Sequence, residues 1–325
     1  MKIGITGASG HIGASLTREL LKRNYDVRVL KHNDSKGFEN LNAEIIKGDI
    51  NDVSTLTKFC DGLDIVFHLA AKISIGFNSF DYLKLINFVG TQNIVNECKK
   101  ANVRRLIYFS SIHALQHYPL DKPLDESRPL VVNSHIAYEQ TKAMAEQWVL
   151  QQISDNFDII VLNPTSIIGP NDFKPSLMGQ MMIKFYKGRL PLLVPGGYDW
   201  VDVRDVAMAA ANAIEQGRSG ERYIVSGQWE TIEKLSRLIN KVCEKNNFLL
   251  VIPLALAKFA LPFINAWSKL TKSKPLYTKE SLTIINNVNK NIRNDKAKKE
   301  LNFNPRPLSD TIKDTMQWFK ENNYI

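Results

Sequence analysis

Thirteen residues at the start of the chain decide the fold: Met1-Lys2-Ile3-Gly4-Ile5-Thr6-Gly7-Ala8-Ser9-Gly10-His11-Ile12-Gly13. A short apolar strand, Ile3–Thr6, runs into glycines at 7, 10 and 13. An amphipathic helix over His11–Arg23 follows, with Ile12, Leu16, Leu20 and Leu21 on one side. Such a turn lets the backbone approach a pyrophosphate closely, and the free N–H groups at the helix start face the anion. The spacing is G-x-x-G-x-x-G rather than the commoner G-x-G-x-x-G. Taken alone it also suits an ordinary tight turn, so the rest of the chain has to decide.

Outward from that turn, strand and helix patterns alternate. Strands are expected at Asp26–Leu30, Ala43–Ile46, Asp64–Leu69, Arg105–Phe109 and Asp158–Leu162. Helices are expected at Val53–Cys60, Phe80–Lys100 and His135–Ser154. Asp64-Ile65-Val66-Phe67-His68-Leu69 is almost continuously apolar, as in a strand buried on both faces of a parallel sheet. This βαβ alternation predicts an α/β fold, a doubly wound parallel sheet with helices on both faces and ligands at the carboxyl ends of its strands. Residues 1–165 form that dinucleotide-binding domain. Segments at about 200–227 (Trp200–Val203, a helix from Arg204, and Arg222–Val225) are expected to return to its sheet. About 166–199 and 228–325, rich in Pro and Gly loops and mixed helices, form a smaller substrate domain, which ends in an amphipathic helix over Leu308–Asn322.

With 44% hydrophobic and 23% charged residues, the 325-residue chain can bury a sizeable core. Its three cysteines (Cys60, Cys98, Cys243) are widely spaced, which suits a reducing compartment and excludes a zinc pattern. No charged segment precedes the first strand as in a signal peptide, and Pro253, Lys258, Pro262 and Asn265 interrupt the apolar stretch Leu249–Trp267. No transmembrane segment is expected, and the cytoplasm is the expected location. Leu249–Trp267 is read first as the core of the small domain, next as an apolar wall for a bulky substrate, and last as a membrane-surface contact. The net charge of +9 is spread over scattered lysines, so a nucleic-acid partner is not expected.

Behind the second strand stand Lys31, His32 and Asn33, with no acid at the strand end. Basic groups there tolerate a ribose 2′-phosphate, which leans the choice of cofactor towards NADP, with NAD bound by other contacts left open. Asp49 follows Gly48 after the third strand. It can accept from an adenine amino group with Ile50 against the ring, or cap the helix that starts near Asp52. Tyr138 and Lys142 lie four apart on a helix and share a face. An ammonium beside a phenol favours the phenolate, and such a tyrosine can exchange a proton with a substrate oxygen while hydride moves to or from carbon. Lys142 can also hold the nicotinamide ribose. Tyr108-Phe109-Ser110-Ser111 closes the fifth strand, and a hydroxyl there reaches the same substrate oxygen. His113 and His117 have no third ligand at suitable spacing, so no metal is expected and a loop pair lining the pocket is. His68, closing a buried strand, is expected to be packed or hydrogen-bonded.

Together these stretches resemble an extended short-chain dehydrogenase/reductase of the NAD-dependent epimerase/dehydratase family, nearly end to end. Carrying the likeness are Thr6 to Gly13, Gly48-Asp49-Ile50, Val66 to Ala71, Asn87 to Thr91, Ser110-Ser111, Tyr138 with Lys142, Asn163-Pro164-Thr165, Gly169-Pro170, Val201 to Ala207 and Gly220 to Tyr223. Pro123 to Glu126, Lys296 to Leu301 and Trp318-Phe319 are similar to the dihydroflavonol 4-reductase-like branch.

The resemblance implies a Rossmann fold, NADP (preferred) or NAD as cofactor, and a catalytic set of Ser111, Tyr138 and Lys142. It implies that Gly7, Ser9, Gly10, His11, Ile12 and Gly13 form the pyrophosphate turn, and that Leu69, Ala70, Ala71 and Lys72 line the cofactor. Pro164, Thr165, Ser166 and Ile167 would meet the nicotinamide through backbone, and Asn87 would stabilise the central helix. The expected partner is a small carbonyl or alcohol substrate, bulky and apolar, and a homodimer through the two long helices is suggested. His32 stands where the branch often has Arg. Ile112-His113 replaces the Asp-Glu pair of sugar 4,6-dehydratases. Beside the reductase reading stand an epimerase or dehydratase of nucleotide sugars with tightly bound NAD, and a non-catalytic dinucleotide sensor.

Overall fold

The computed structural model describes residues 1–74, 78–257, 259, 282, 285 and 288–325. Seven parallel strands form the central sheet: β1 (Lys2–Thr6), β2 (Asp26–Lys31), β3 (Glu44–Lys47), β4 (Ile65–His68), β5 (Arg105–Phe109), β6 (Asp158–Pro164) and, after three strands outside this sheet, β10 (Arg222–Val225). Their order is β10-β6-β5-β4-β1-β2-β3. The chain winds outward in one direction from β1 to β3 and in the other from β4 to β10. The reversal between β1 and β4 opens a crevice at their carboxyl ends. In the register Ile3 lies beside Val27 and Ile65, so the ends of β1, β2 and β4 are flush.

The two faces of the sheet bury different helices. Ile3, Ile5, Val27, Val29, Ile65, Phe67 and Ile107 pack against α1 (His11–Lys22) and α7 (Val203–Gln216). Leu30, Val66, Leu106, Tyr108 and Val161 face the helices α2 (Val53–Cys60), α4 (Gly90–Lys100) and α5 (Ala137–Leu150). A third core surrounds a small sheet of β7 (Ser166–Ile168), β9 (Gly197–Asp202) and β11 (Gln228–Thr231), under α6 (Leu177–Tyr186), α8 (Ile232–Val242) and a last helix α10 (Leu308–Glu321). A two-stranded piece, β8 (Leu192–Leu193) with β12 (Leu250–Val251), borders it.

Two expectations need correction. The stretch Trp200–Val203 does not return to the central sheet: β9 pairs with β7 and β11, whereas α7 packs on the face of that sheet and β10 rejoins it. A buried strand pattern carries no record of which sheet it joins. The segment after 228 does not stay with the third core throughout. Helix α9 (Asp295–Leu301) buries Ala297 and Leu301, with Phe303 just beyond it, in the core beneath α1 and α7. The helix expected over Phe80–Lys100 is α3 (Phe80–Lys84) and α4 joined by a π-helical turn, Leu85–Val89. Trp267 and most of Leu249–Trp267 beyond Ala257 lie outside the described residues. Among the described residues, no helix is long and apolar enough to cross a membrane.

Candidate active site

The glycine turn closes against the neighbouring strand. Gly7 has φ of +75°, and a Cβ there would lie 2.7 Å from the Ala70 nitrogen. At Gly13 a Cβ would come within 2.2 Å of the Gly7 carbonyl oxygen, so only glycine lets α1 start this close to β1. Gly10 differs: it is exposed, and the Gly7 carbonyl at 3.2 Å is its nearest obstacle. Helix α1 has no side-chain N-cap and no acid in its first turn. Its first N–H groups, at His11, Ile12 and Gly13, therefore suit an anion from outside. This open cradle over Gly10, with uncapped donors, fits the pyrophosphate of a dinucleotide. The His11 side chain points elsewhere: Nε2 donates to the Gly169 and Pro170 carbonyls at 3.1 and 2.9 Å, clipping α1 to the loop after β7. Ser9 is half-buried on the turn, and Ile12 packs on the core below.

Lys31 ends β2 half-buried, and the exposed His32 follows it. His32 Nε2 lies 3.1 Å from Asp49 Oδ2, and Asp49 Oδ1 accepts from the Asn51 N–H. Helix α2 is capped by Asp52, which accepts from the Ser54 N–H, so the capping alternative for Asp49 does not hold. Ile50 packs over Gly90 at the start of α4.

Leu69 and Ala70 are tied to Thr6 by their N–H groups, whereas Ala71 and Lys72 are exposed. The Lys72 backbone is clamped from both sides by Asn87: its N–H donates to Oδ1 at 2.7 Å, and its carbonyl accepts from Nδ2 at 3.1 Å. Asn87 also donates to Thr141 Oγ1 on α5. The π-helical turn presents that side chain between Lys72 and α5. Pro164 ends β6, Ser166 begins β7, and Thr165 between them donates to Asp199 Oδ1 at 2.6 Å. Pro164, Thr165, Ser166 and Ile167 thus span the step from the central sheet to the small one.

Helix α5 carries Tyr138 and Lys142 on its buried face. Ser111, just past β5, stands beside the Tyr138 phenol. Its Oγ also accepts from the His113 N–H, and its carbonyl accepts from Asn163 Nδ2 at 3.1 Å. Lys142 Nζ is directed down into the sheet, where it donates to the Phe109 carbonyl at 2.6 Å and to Tyr108 Oη at 3.1 Å. Burial lowers the Lys142 pKa to about 7, against the pull of Glu146. For Tyr138 the largest influence is burial, which raises the phenol pKa, with the neighbouring Ser111 hydroxyl acting the other way. The expectation that Lys142 lowers the Tyr138 pKa is therefore corrected: the ammonium is spent on Tyr108 and Phe109, and desolvation dominates at the phenol.

Three residues of this site escaped the sequence reading. Glu146, one turn beyond Lys142, is fully buried, accepts from Asn163 Nδ2 at 2.8 Å and pairs with Arg222 of β10 at 2.9 Å. The recurrence of polar residues at 138, 142 and 146 was the signal. Tyr108 lies beside Thr91 and stacks on the His68 ring, centroids 5.9 Å apart. Thr91 in turn donates to the Asn87 carbonyl at 2.7 Å and meets His68 Nε2 at 3.0 Å. With the Thr91 hydroxyl proton so used, His68 donates from Nε2, and its Nδ1 accepts from Thr6 Oγ1 at 2.7 Å. Burial holds the His68 pKa at about 3, keeping the ring neutral. Buried polar and aromatic groups in contact thus run from Lys142 through Tyr108 and His68 to Thr6, beneath the loop after β4.

Beyond Ser111 lies a narrow cavity whose walls include His113, His117, Thr165, Asp199 and Asn289. The two rings are 5.6 Å apart, and burial lowers their pKa values to about 4 for His113 and about 3 for His117. Among the described residues no group of three or more His, Cys, Asp or Glu side chains could hold a metal.

The sequence pattern of the NAD-dependent epimerase/dehydratase family matches residues 3–226. The chain belongs to that family. Sterol demethylase protein B of Methylococcus capsulatus is 30% identical over 325 residues, covering 99% of each protein. A putative dihydroflavonol 4-reductase of Synechocystis is 30% identical over 337 residues, covering 99% of this chain and 95% of that one. The crystal structure of gox2253 superposes with a TM-score of 0.86 at 31% identity, covering 99% of each chain. The family member described here is an NAD(P)-dependent oxidoreductase of the extended short-chain dehydrogenase/reductase type, with dihydroflavonol reductase-like relatives.

Proposed function

We propose that the enzyme interconverts a ketone or aldehyde and the corresponding alcohol, with Tyr138 as acid/base. The observation that carries this reading is the placement of the Ser111 hydroxyl beside the buried Tyr138 phenol, on the helix that also bears Lys142. Two hydroxyls that meet in a desolvated site can both reach one substrate oxygen, Ser111 orienting it and Tyr138 giving or taking its proton. Lys142 offers its remaining N–H to a ribose hydroxyl. A bound nicotinamide supplies or receives the hydride. Neutralisation of Glu146 by Arg222 leaves Lys142 and Tyr138 free of an unpaired carboxylate below them.

The substrate we assign is an apolar-bodied carbonyl compound, in keeping with relatives named for sterol and dihydroflavonol chemistry. Ile112-His113 after the serine, in place of an Asp-Glu pair, favours simple redox over removal of water. A screen of bulky ketones and alcohols, followed by NAD(P)H absorbance, tests the reading. Replacing Tyr138 with Phe should leave cofactor affinity within about twofold and lower turnover about 10³-fold; undiminished turnover refutes the assignment.

The cofactor we assign is NADP in preference to NAD, carried by Lys31 at the end of β2. His32 contributes less, since it is paired with Asp49. Dissociation constants for the two cofactors should differ by about tenfold in favour of NADP, and Lys31→Glu should abolish that difference. Equal or tighter NAD binding by the natural protein overturns the preference.

A further inference from the structure

The wall of the cavity beyond Ser111 contains a hydrogen-bond donor whose direction is fixed from a distant part of the chain. The Asn289 N–H donates to His117 Nδ1 at 3.1 Å. The Asn289 side chain holds the same loop through the carbonyls of His117 (3.2 Å), Pro119 (3.4 Å) and Lys122 (2.7 Å). A neutral imidazole that accepts at Nδ1 carries its proton on Nε2. His117 therefore presents a buried N–H, and among the described residues this nitrogen has no hydrogen-bond partner. The Ile112 carbonyl lies beside the ring without the alignment of a hydrogen bond. Buried donors of this kind are rare unless something else supplies the acceptor.

We propose that His117, oriented by Asn289, is a specificity residue that receives a second, uncharged oxygen of the substrate, a hydroxyl or keto group apart from the one that meets Tyr138. The inference rests on the reductase reading and adds the polar pattern its substrate must carry. The neutrality of that oxygen follows from the wall. Among the described residues lining the cavity there is no Lys or Arg, and Asp199 already contributes an acid whose pKa burial raises. Thr165 and Gly227 both donate to Asp199 Oδ1, at 2.6 and 2.7 Å, and so do not compensate an incoming anion. The charge of Arg128 reaches His117, but its guanidinium is committed to the carbonyls of Tyr118, Pro119, Lys122 and Pro123 and does not line the cavity. A carboxylate or phosphate would therefore be desolvated with no countercharge in the wall, whereas a neutral oxygen is satisfied by one N–H. His113, two residues from Ser111, leaves Nδ1 unpartnered in the same wall, 3.9 Å from Glu139 Oε1. It offers a second contact to the same group.

The test compares three probes with one ring body: 1-decalone, decalin-1,5-dione and 5-oxodecalin-1-carboxylate. Their binding to the NADP⁺-loaded protein is measured by calorimetry. The dione should bind about tenfold tighter than the monoketone, and the carboxylate no tighter than the monoketone. His117→Phe should bring the dione-to-monoketone ratio to about one, and His117→Gln, which keeps an amide donor, should restore part of it. In ¹⁵N-histidine spectra of the natural protein, His117 should show the Nε2–H tautomer, with Nε2 shifting on addition of the dione. A ratio of one in the natural protein, a ratio unchanged in His117→Phe, preference for the carboxylate, or no binding by any probe overturns the proposal. Tyr138→Phe separates the two levels. If the natural protein reduces none of the ketones with NAD(P)H, the reductase reading fails; if reduction occurs and is lost in Tyr138→Phe while the ratio ignores His117, only the present inference fails.

Discussion

The cofactor cradle and the substrate wall are both built at the carboxyl ends of strands, but by opposite means. The cradle is a property of backbone. Gly7 must take a positive φ, Gly13 must leave room for the Gly7 carbonyl, and the donors are the uncapped N–H groups of α1. All of it lies within seven consecutive residues. The wall is a property of side chains brought together from residues 112–117, 165–166, 198–199 and 288–292. Its organising contact joins residues 172 positions apart. A backbone site is specified by a short stretch and tolerates little change in it. A side-chain site is specified by the whole fold, and its members can be exchanged singly.

Substitutions at two glycines offer the strongest way to break this contrast. Gly13→Ala drives a methyl group into the Gly7 carbonyl and the Ala8 Cα. It should cost roughly 1–3 kcal/mol in stability and at least about tenfold in cofactor affinity. Gly10→Ala meets only the Gly7 carbonyl at 3.2 Å. It should leave the unfolding midpoint nearly unchanged while weakening the cofactor, because its methyl group points where the pyrophosphate would lie. Chemical denaturation with cofactor titration checks both, and equal loss of stability in the two variants would erase the distinction drawn here.

Acid should act on three buried histidines at once. His68, His113 and His117 have pKa values lowered by burial to about 3, 4 and 3. Below pH 6.5 the unfolded chain binds protons that the folded protein refuses. The stability present at neutral pH is therefore lost progressively as pH falls from about 6.5 towards 3. At pH 5 the loss is about 2 kcal/mol for each such histidine relative to neutral pH. Urea unfolding at pH 7 and pH 5 measures it, and His68→Asn should flatten part of the slope.

The smallest expected effect concerns the network that joins the two regions. Tyr108→Phe removes one of the two acceptors of Lys142. The ammonium loses support, so the Lys142 pKa should fall further below about 7. The basic limb of the pH profile for cofactor binding should then move to lower pH, with a loss of about 1 kcal/mol in stability. A profile unmoved by the change would detach Tyr108 from the site.

The same contrast explains what could be read from sequence. β5, β10 and α2 were located residue for residue, and most other elements of the central sheet within one or two, because apolar periodicity and turn residues are local. Tyr138, Lys142 and Ser111 could be proposed as a set because the helix and strand end that hold them are likewise local. The destination of β9 was misread, since pairing partners leave no trace in a single strand. The direction of Lys142 was misread for a related reason: helical spacing aligns Tyr138 with Lys142 but does not disclose that Tyr108, on the strand beneath α5, supplies an acceptor. Asn289 was invisible, because its role exists only after 172 residues of chain have folded back on His117.

The ion pair between Glu146 and Arg222 has a consequence for the growing polypeptide. A chain that has emerged only to residue 165 already contains the glycine turn, Ser111, Tyr138 and Lys142, and it can form the strands from β1 to β6. It lacks Arg222, and with it both the partner of a fully buried carboxylate and the edge strand that covers β6. A carboxylate sealed without its partner is strongly destabilising. The nascent nucleotide-binding half therefore cannot close its own core until the ribosome has delivered β10. A fragment cut at the apparent boundary near 165 would hold every reactive group and still fail as an autonomous unit.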